Sequence, residues 1–230
     1  MKLMTRLAVQ THMSLLRSLV AVVALASWAS PATAEPKKPR FLYIQPLGAE
    51  LPDDDVALVN EALEQFFALE VKLLPRVDLP ARAFYKPRKR YRAEKLLDFL
   101  DRRLPKDGYR ILGLTGVDIS TTKGRYKDWG ILGLATIDGG ACVISAFRAR
   151  KKTRDRHHGQ IRLAKVAVHE IGHTLGLEHC PTVGCLMEDA RGKVATCDRE
   201  YDICPKCRAR LEQLGRPIPK SPKIPWSRPR

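Results

Sequence analysis

The chain has 230 residues, 44% of them hydrophobic and 29% charged. That balance excludes a disordered polyelectrolyte and a multi-span membrane protein, and it leaves room for one well-buried domain. A formal charge of +16 keeps nucleic acid and other anionic surfaces in view, but the basic clusters at 82–92, 148–156 and 206–230 show no clear interleaving of aromatics. They read mainly as solvated faces, with attraction to an anionic substrate or envelope as a secondary role, so no specific nucleic-acid partner is expected.

In chain order, Lys2, Arg6 and Arg17 precede an apolar stretch at 19–28 and then Ala32-Thr33-Ala34. This layout predicts a cleavable signal peptide over 1–34, with Met13 as an alternative start, and export to the periplasm or beyond. The apolar stretch is too short to span a bilayer, so no stable membrane insertion is expected. A single domain over 35–214 follows, then a basic tail over 215–230. There Pro217, Pro219, Pro222, Pro225 and Pro229 forbid regular helix. A monomer is expected.

Within the domain, the β-rich apolar run 41–45 predicts a first strand. Asp53-Asp54-Asp55 opens a helix whose apolar side is Val56, Val59, Leu63 and Phe67. A strand at 71–74, a helix over 89–104 with Leu96, Leu97, Phe99 and Leu100 inward, and a strand at 109–115 come next. Strands at 130–136 and 141–147 are joined through 137–140, with Asp138-Gly139 at the core of a tight turn. That antiparallel pair is expected at a sheet edge, where one of its strands could line a cleft and hold an extended peptide. Cys142 lies in an apolar run and reads as a buried strand residue. His157-His158 reads as a solvated loop rather than a metal site. The result is a mixed α/β layout without internal repeats.

The run His169-Glu170-Ile171-Gly172-His173-Thr174-Leu175-Gly176-Leu177-Glu178-His179 carries the most specific chemistry. His169 and His173 are four apart, so a helix projects them from one face and a single zinc ion can accept both imidazoles. Glu170, beside the first ligand, can reach a water on the metal without binding the metal itself. Gly176 lets the chain leave the helix and bring His179 back as a third ligand. Three protein ligands leave one position open, which marks a catalytic rather than a structural zinc site. Ile161, Leu163, Val166, Val168, Ile171, Leu175 and Leu177 make this helix apolar enough to be core-facing.

Cys180 and Cys185 follow, then Met187, and after a gap of 16 residues Cys204-Pro205-Lys206-Cys207. The cysteine pairs offer two bites on one tetrahedral metal; after export, two disulfides are the alternative. Because His179 and Cys180 are adjacent, they cannot easily face the same metal. Cys197 could be free or paired with Cys142. A short helix is expected over 204–214.

The pattern H-E-x-x-H-x-x-G-x-x-H-C-x4-C-x-M, a gap and C-x-x-C resembles the archaemetzincins, a family of metzincin zinc peptidases. The resemblance extends over about 41–214, and its specific part is confined to 169–207. It implies a metzincin-like mixed twisted sheet with backing helices, an active-site helix that binds zinc, and a small Cys-rich C-terminal subdomain. By the same resemblance His169, His173 and His179 hold the catalytic zinc and Glu170 is the general base. Cys180, Cys185, Cys204 and Cys207 hold a structural zinc, and Met187 is an apolar floor under the imidazoles. Asp189, two residues after Met187, stands where some other metzincins place a tyrosine, which removes one candidate for stabilising the oxyanion.

Three readings of function follow: a zinc peptidase acting on peptides or proteins, a zinc hydrolase acting on cell-wall peptides, and a non-catalytic binding module stapled by zinc. An intact Glu170 argues against the third. A zinc-ribbon nucleic-acid binder is the weakest fit to the pattern.

Overall fold

The computed structural model describes residues 41–67 and 69–220, all within one compact unit. The expected signal peptide and residues 221–230 of the tail lie outside the described residues. Among the described residues, no helix is long and apolar enough to cross a membrane.

Strand β1 (Phe41–Leu47) is followed by helix α1 (Asp53–Phe66) and strand β2 (Glu70–Leu73). A small excursion then forms β3 (Phe84–Tyr85) and β4 (Arg90–Arg92) before helix α2 (Ala93–Asp101). Strands β5 (Gly108–Thr115), β6 (Ile119–Lys123), β7 (Tyr126–Ile131), β8 (Gly133–Ala135) and β9 (Ala141–Ser145) come next. Helices α3 (Ala146–Ala149), α4 (Arg156–Thr174) and α5 (Pro205–Gln213) complete the order.

The main sheet has the order β2-β1-β5-β9-β8. Its first four strands are parallel, and β8 runs antiparallel to β9 at the edge. Both faces are covered, which is why β1, β5 and β9 read as nearly continuous apolar runs. Leu42, Ile44, Leu112, Leu114, Cys142 and Ile144 face a core shared with α1 and α4. Tyr43, Leu47, Ile111, Ala141 and Val143 face the other way, onto Leu96, Leu97 and Leu100 of α2. The alternation follows from the two-residue period of a strand.

The expected elements hold in type, with four corrections. The helix expected over 89–104 begins only at Ala93. Lys89 turns left-handed at φ 50, and Arg90–Arg92 pair with β3 and β6. Three cations at a helix start (Lys89, Arg90 and Arg92) would oppose the macrodipole, whereas Glu94 in the first turn suits it. The strand expected over 130–136 is split: 126–131 belongs to a second sheet of order β3-β4-β6-β7, and only 133–135 joins the main one. The strand expected over 141–147 stops at Ser145, whose hydroxyl accepts the Phe147 N–H at 3.1 Å and starts α3. His157 and His158 lie in the first turn of α4 rather than in a loop, and His158 Nε2 meets Asp198 at 2.7 Å. The hairpin that Ile119–Ile131 forms has no counterpart in the expected elements.

Helix α4 is tied to α1 by charge as well as by packing. Asp55, 1% exposed in the first turn of α1, lies 3.6 Å from Arg156 of α4, pairs with Arg150 just before that helix, and accepts from Gln160 Nε2 at 3.1 Å. We expect Asp55→Ala to lower the unfolding free energy by about 2 kcal/mol, since it strands partly buried donors. Urea denaturation of both proteins checks this, and an unchanged midpoint would show the contact to be neutral.

Candidate metal centres

Asp155 caps α4, its carboxylate accepting the His158 N–H at 2.7 Å. Nineteen residues then carry His169 and His173 to the end of the helix. Gly176, at φ 93, takes the turn that returns His179. The three imidazoles meet with ring centroids 4.7–5.4 Å apart. One nitrogen from each lies within 4.8 Å of the others.

Each helical imidazole is oriented from behind by a backbone carbonyl. His169 Nδ1–H donates to Leu186 O at 2.6 Å, and His173 Nδ1–H donates to Leu177 O at 2.7 Å. A carbonyl only accepts, so both Nδ1 atoms carry the proton and both Nε2 atoms present lone pairs. Those Nε2 atoms face each other at 3.1 Å. Two bare lone pairs at that distance repel unless a cation lies between them. The separation is close to the ~3.4 Å expected between two nitrogens on one tetrahedral zinc. Burial lowers the His169 pKa to about 3 and that of His173 in the same direction, so both rings are neutral and able to bind metal. The residues therefore fit zinc.

Glu170, 6% exposed, points into the same cavity, of about 430 Å³, lined by Gly133, Leu134, Ala135, Ile137, His169, His173 and His179. With no cation beside it, burial pushes its carboxyl up to about 8; a divalent ion at the imidazoles acts in the opposite sense. A Cβ on Gly133 would stand 2.5 Å from Glu170 Oε1. The carboxylate therefore reaches the cleft only because strand β8 has no side chain at that point. Gly133 was not singled out in the sequence, because its role depends on β8 crossing α4. Met187, fully buried, sits beneath the helix, and its Sδ lies 2.5 Å from where a Cβ on Gly172 would be. It touches the stretch of helix between the two histidines rather than offering a ligand.

The other expected cluster also comes together. Cys180 Sγ and Cys204 Sγ are 3.6 Å apart, and Cys185 Sγ and Cys207 Sγ 3.8 Å. These are close to the ~3.8 Å edge of a zinc–thiolate tetrahedron and far from a disulfide bond of ~2.05 Å. Backbone N–H groups point at the sulfurs: Thr182 at Cys180, and Met187 and Cys204 at Cys185, at 3.3–3.4 Å. Together with the Cys207 thiol, which donates most strongly, they lower the Cys185 pKa to about 5, favouring the thiolate. All six cysteines are unbridged. Cys142 and Cys197 are buried in separate places, and burial raises both thiols above their ordinary range.

The two clusters share backbone. The Cys180 N–H donates to Met187 O at 2.7 Å. Leu186, held between Cys185 and Met187, donates its N–H to Asp202 O at 2.9 Å and lends its carbonyl to His169. Along the same face of α4, toward its N-terminus, Asp198 holds Arg162 Nη2 at 2.6 Å and His158 Nε2 at 2.7 Å. The Arg162 guanidinium, then His158, depress the Asp198 carboxyl to about 2. His158 therefore serves as a brace, and no group with a third metal's ligand set includes it among the described residues.

The sequence model of peptidase family M54 matches residues 55–213. An archaemetzincin of Archaeoglobus fulgidus is 31% identical, the match covering 74% of this chain and 98% of the relative. One of Haloarcula marismortui is 32% identical over 64% of this chain and 86% of the relative. The crystal structure of an archaemetzincin of Methanopyrus kandleri matches with TM-score 0.66 at 29% identity, covering 79% of this chain and 98% of that one. That of Archaeoglobus fulgidus, complexed with malonate, matches with TM-score 0.63 at 33% identity, covering 74% and 99%.

Two outcomes are expected. Metal analysis of protein purified without chelator should give two zinc ions per chain, and Cys185→Ser should lose one of them while the other remains. One zinc in the parent with four oxidised cysteines would replace the structural metal by disulfides. Separately, Asp198 has a folded pKa below its unfolded value of ~3.9, so its stabilisation is present above about pH 4 and is lost as pH falls toward 2. The stability difference between parent and Asp198→Asn, followed by denaturant titration, should therefore shrink over that window; a constant difference would contradict the linkage.

Proposed function

Since this chain belongs to peptidase family M54, the archaemetzincins, and is a zinc metallopeptidase, we propose that Glu170 is its general base and that its cleft cuts extended peptides laid along strand β8. The observation that carries this reading is the convergence of three metal-ready imidazoles and a buried carboxylate on one cavity walled by a sheet edge. We assign the catalytic zinc to His169, His173 and His179, and a second, structural zinc to Cys180, Cys185, Cys204 and Cys207.

When bound, zinc supplies a Lewis acid for the peptide carbonyl and lowers the pKa of a coordinated water toward neutrality. The chain's own groups do the rest. A Glu170 carboxylate oxygen accepts the proton of the attacking water and later delivers it to the leaving amine. The free edge of β8 offers backbone N–H and C=O groups to the substrate backbone, which aligns it without regard to side chains. Arg110 acts as a positioning residue. Its Nε donates to Thr174 O at 2.9 Å, and its guanidinium lies 3.5 Å from Asp138, in the turn after β8. The Asp138 N–H in turn donates to His173 O at 3.0 Å. Helix end and strand edge are thereby held at a fixed separation. Lys2, Arg6 and Arg17, the apolar run and Ala32-Thr33-Ala34 support export of the mature enzyme.

Glu170→Gln should retain both metals and lose at least ~10³-fold in kcat, in line with removal of a general base and of its charge. A peptide turnover assay with parallel metal analysis decides it: parental kcat in this variant would remove Glu170 from the mechanism. Gly133→Ala should keep the metals and lower kcat more than it raises KM, because it displaces the carboxylate rather than the substrate.

A further inference from the structure

The second sheet does no work in the chemistry above, yet it has the most one-sided charge among the described elements. Residues 84–92 and 119–131 hold eight Lys and Arg against a single acid, Asp128, and Arg90 neutralises that acid at 2.9 Å. The β6–β7 hairpin turns at Gly124 and Arg125 and presents Lys123, Arg125 and Lys127, all exposed. Among the described residues, none of these three forms a salt bridge. The same holds for Arg191 and Lys193 in the loop that follows Met187, both exposed. The charges stand in water. Asp189 is the carboxylate that Lys123 and Arg191 face, and one acid does not balance five cations, so Arg125, Lys127 and Lys193 are left without a salt bridge among the described residues.

The hairpin adjoins the catalytic cleft. Trp129 of β7 packs on the 189–193 loop, its Cζ2 3.2 Å from where a Cβ on Gly192 would be. That loop lines a cavity of about 540 Å³ with His179, so this cavity and the one beneath β8 share a metal ligand. Strand β7 ends at Ile131 and β8 begins at Gly133. An extended chain paired with β8 is therefore carried toward either the loop or the hairpin.

From this we propose that the β6–β7 hairpin and the 189–193 loop form a docking surface for an acidic segment of the polypeptide substrate. The assignment rests on the peptidase reading above. The alternative polyanion, single-stranded nucleic acid, needs open aromatic faces for its bases. Here Tyr126 and Trp129 are tilted at 45° with centroids 5.4 Å apart, and Arg125 and Lys123 lie over the rings at 5.2 and 5.8 Å. The rings are engaged with each other and with the cations, and the ammonium and guanidinium groups face solvent. Carboxylates on an extended chain match that arrangement.

The test uses the zinc-loaded protein and one cleavable peptide made in two forms, with Glu or with Gln at the positions flanking its core on both sides. The parent should show about tenfold higher kcat/KM for the Glu form, arising in KM, and the ratio should fall toward one in K123E/R125E/K127E. A general loss of folding would lower both rates and leave the ratio unchanged, which would count against the surface, as would equal rates in the parent. A second arm measures binding by fluorescence anisotropy on the Glu170→Gln protein, so it does not require turnover. Tighter binding of the labelled Glu peptide, abolished by about 0.5 M salt and by the triple substitution, supports the proposal. Equal binding of the two forms overturns it, and so does tighter binding of an oligo-dT strand than of the Glu peptide. If neither peptide is cut, the peptidase mechanism fails, while the binding arm still decides the docking surface.

Discussion

A helix can offer two imidazoles to one cation only if their other nitrogens are satisfied and their rings cannot turn. In this protein that requirement is met by two carbonyl oxygens from outside the helix, Leu186 O for His169 and Leu177 O for His173. Leu177 lies just past the glycine turn, so the same bend that returns His179 also locks His173. Leu186 is more distant in sequence, and its position depends on the cysteine cluster: it is the residue between Cys185 and Met187. The four sulfurs fix Cys185, and the Leu186 N–H is anchored on Asp202. The cysteine cluster thereby sets the tautomer of His169 through a single peptide unit. Adjacency of His179 and Cys180 makes the same link from the other side.

The sheet edge imposes a second constraint. Strand β8 passes so close to α4 that the Glu170 side chain fills the space at the crossing and leaves no room for one on the strand. Gly133 resolves this on the strand and the Arg110–Asp138 pair fixes the spacing. The Arg216 guanidinium adds to it, since it also reaches Asp138 and donates to the Tyr109 hydroxyl at 3.1 Å. The start of the basic tail is thus held against the body of the domain: Arg208 binds Pro219 O at 2.7 Å and the Lys220 N–H binds Phe66 O at 2.8 Å.

The candidate metal ligands were legible in the sequence because their spacing is local. Offsets of four on a helix, or of three within C-x-x-C, are set by backbone geometry before any tertiary contact forms. The parallel strands were legible for a different reason: burial on both faces leaves an uninterrupted apolar run. What was not legible depends on partners far along the chain. The β6–β7 hairpin carries Thr, Lys and Tyr without a clean two-residue alternation, and its turn at Gly124-Arg125 is a weak hairpin signal. The 89–92 segment has no apolar period of its own, so it was absorbed into the helix that follows. The split at Leu132 could not be read either. Nothing in 130–136 marks where a strand leaves one sheet for another, and the division becomes visible only when Ser145 claims Leu132 O at 2.8 Å.

The six thiols divide into two classes by environment. A thiol oxidises or exchanges through its thiolate. In the cluster, N–H groups and a neighbouring thiol lower Cys185, so thiolate is available there, but four sulfurs at tetrahedral spacing favour a metal over a bond between any two of them. Joining Cys180 to Cys204 would require them to close from 3.6 Å to ~2.05 Å and would pull the Cys180–Met187 and Cys185–Asp202 backbone contacts apart. Cys142 and Cys197 lie at the other extreme. Buried, with pKa values raised by desolvation, they supply almost no thiolate to compete for a partner. Cys142 stands on β9 beneath α4, where a small apolar side chain is what packing requires, and Cys197 is packed beside Lys165, whose Nζ donates to its carbonyl at 2.7 Å. The reactive sulfurs are therefore the ones a metal can hold, and the others are withheld by the core.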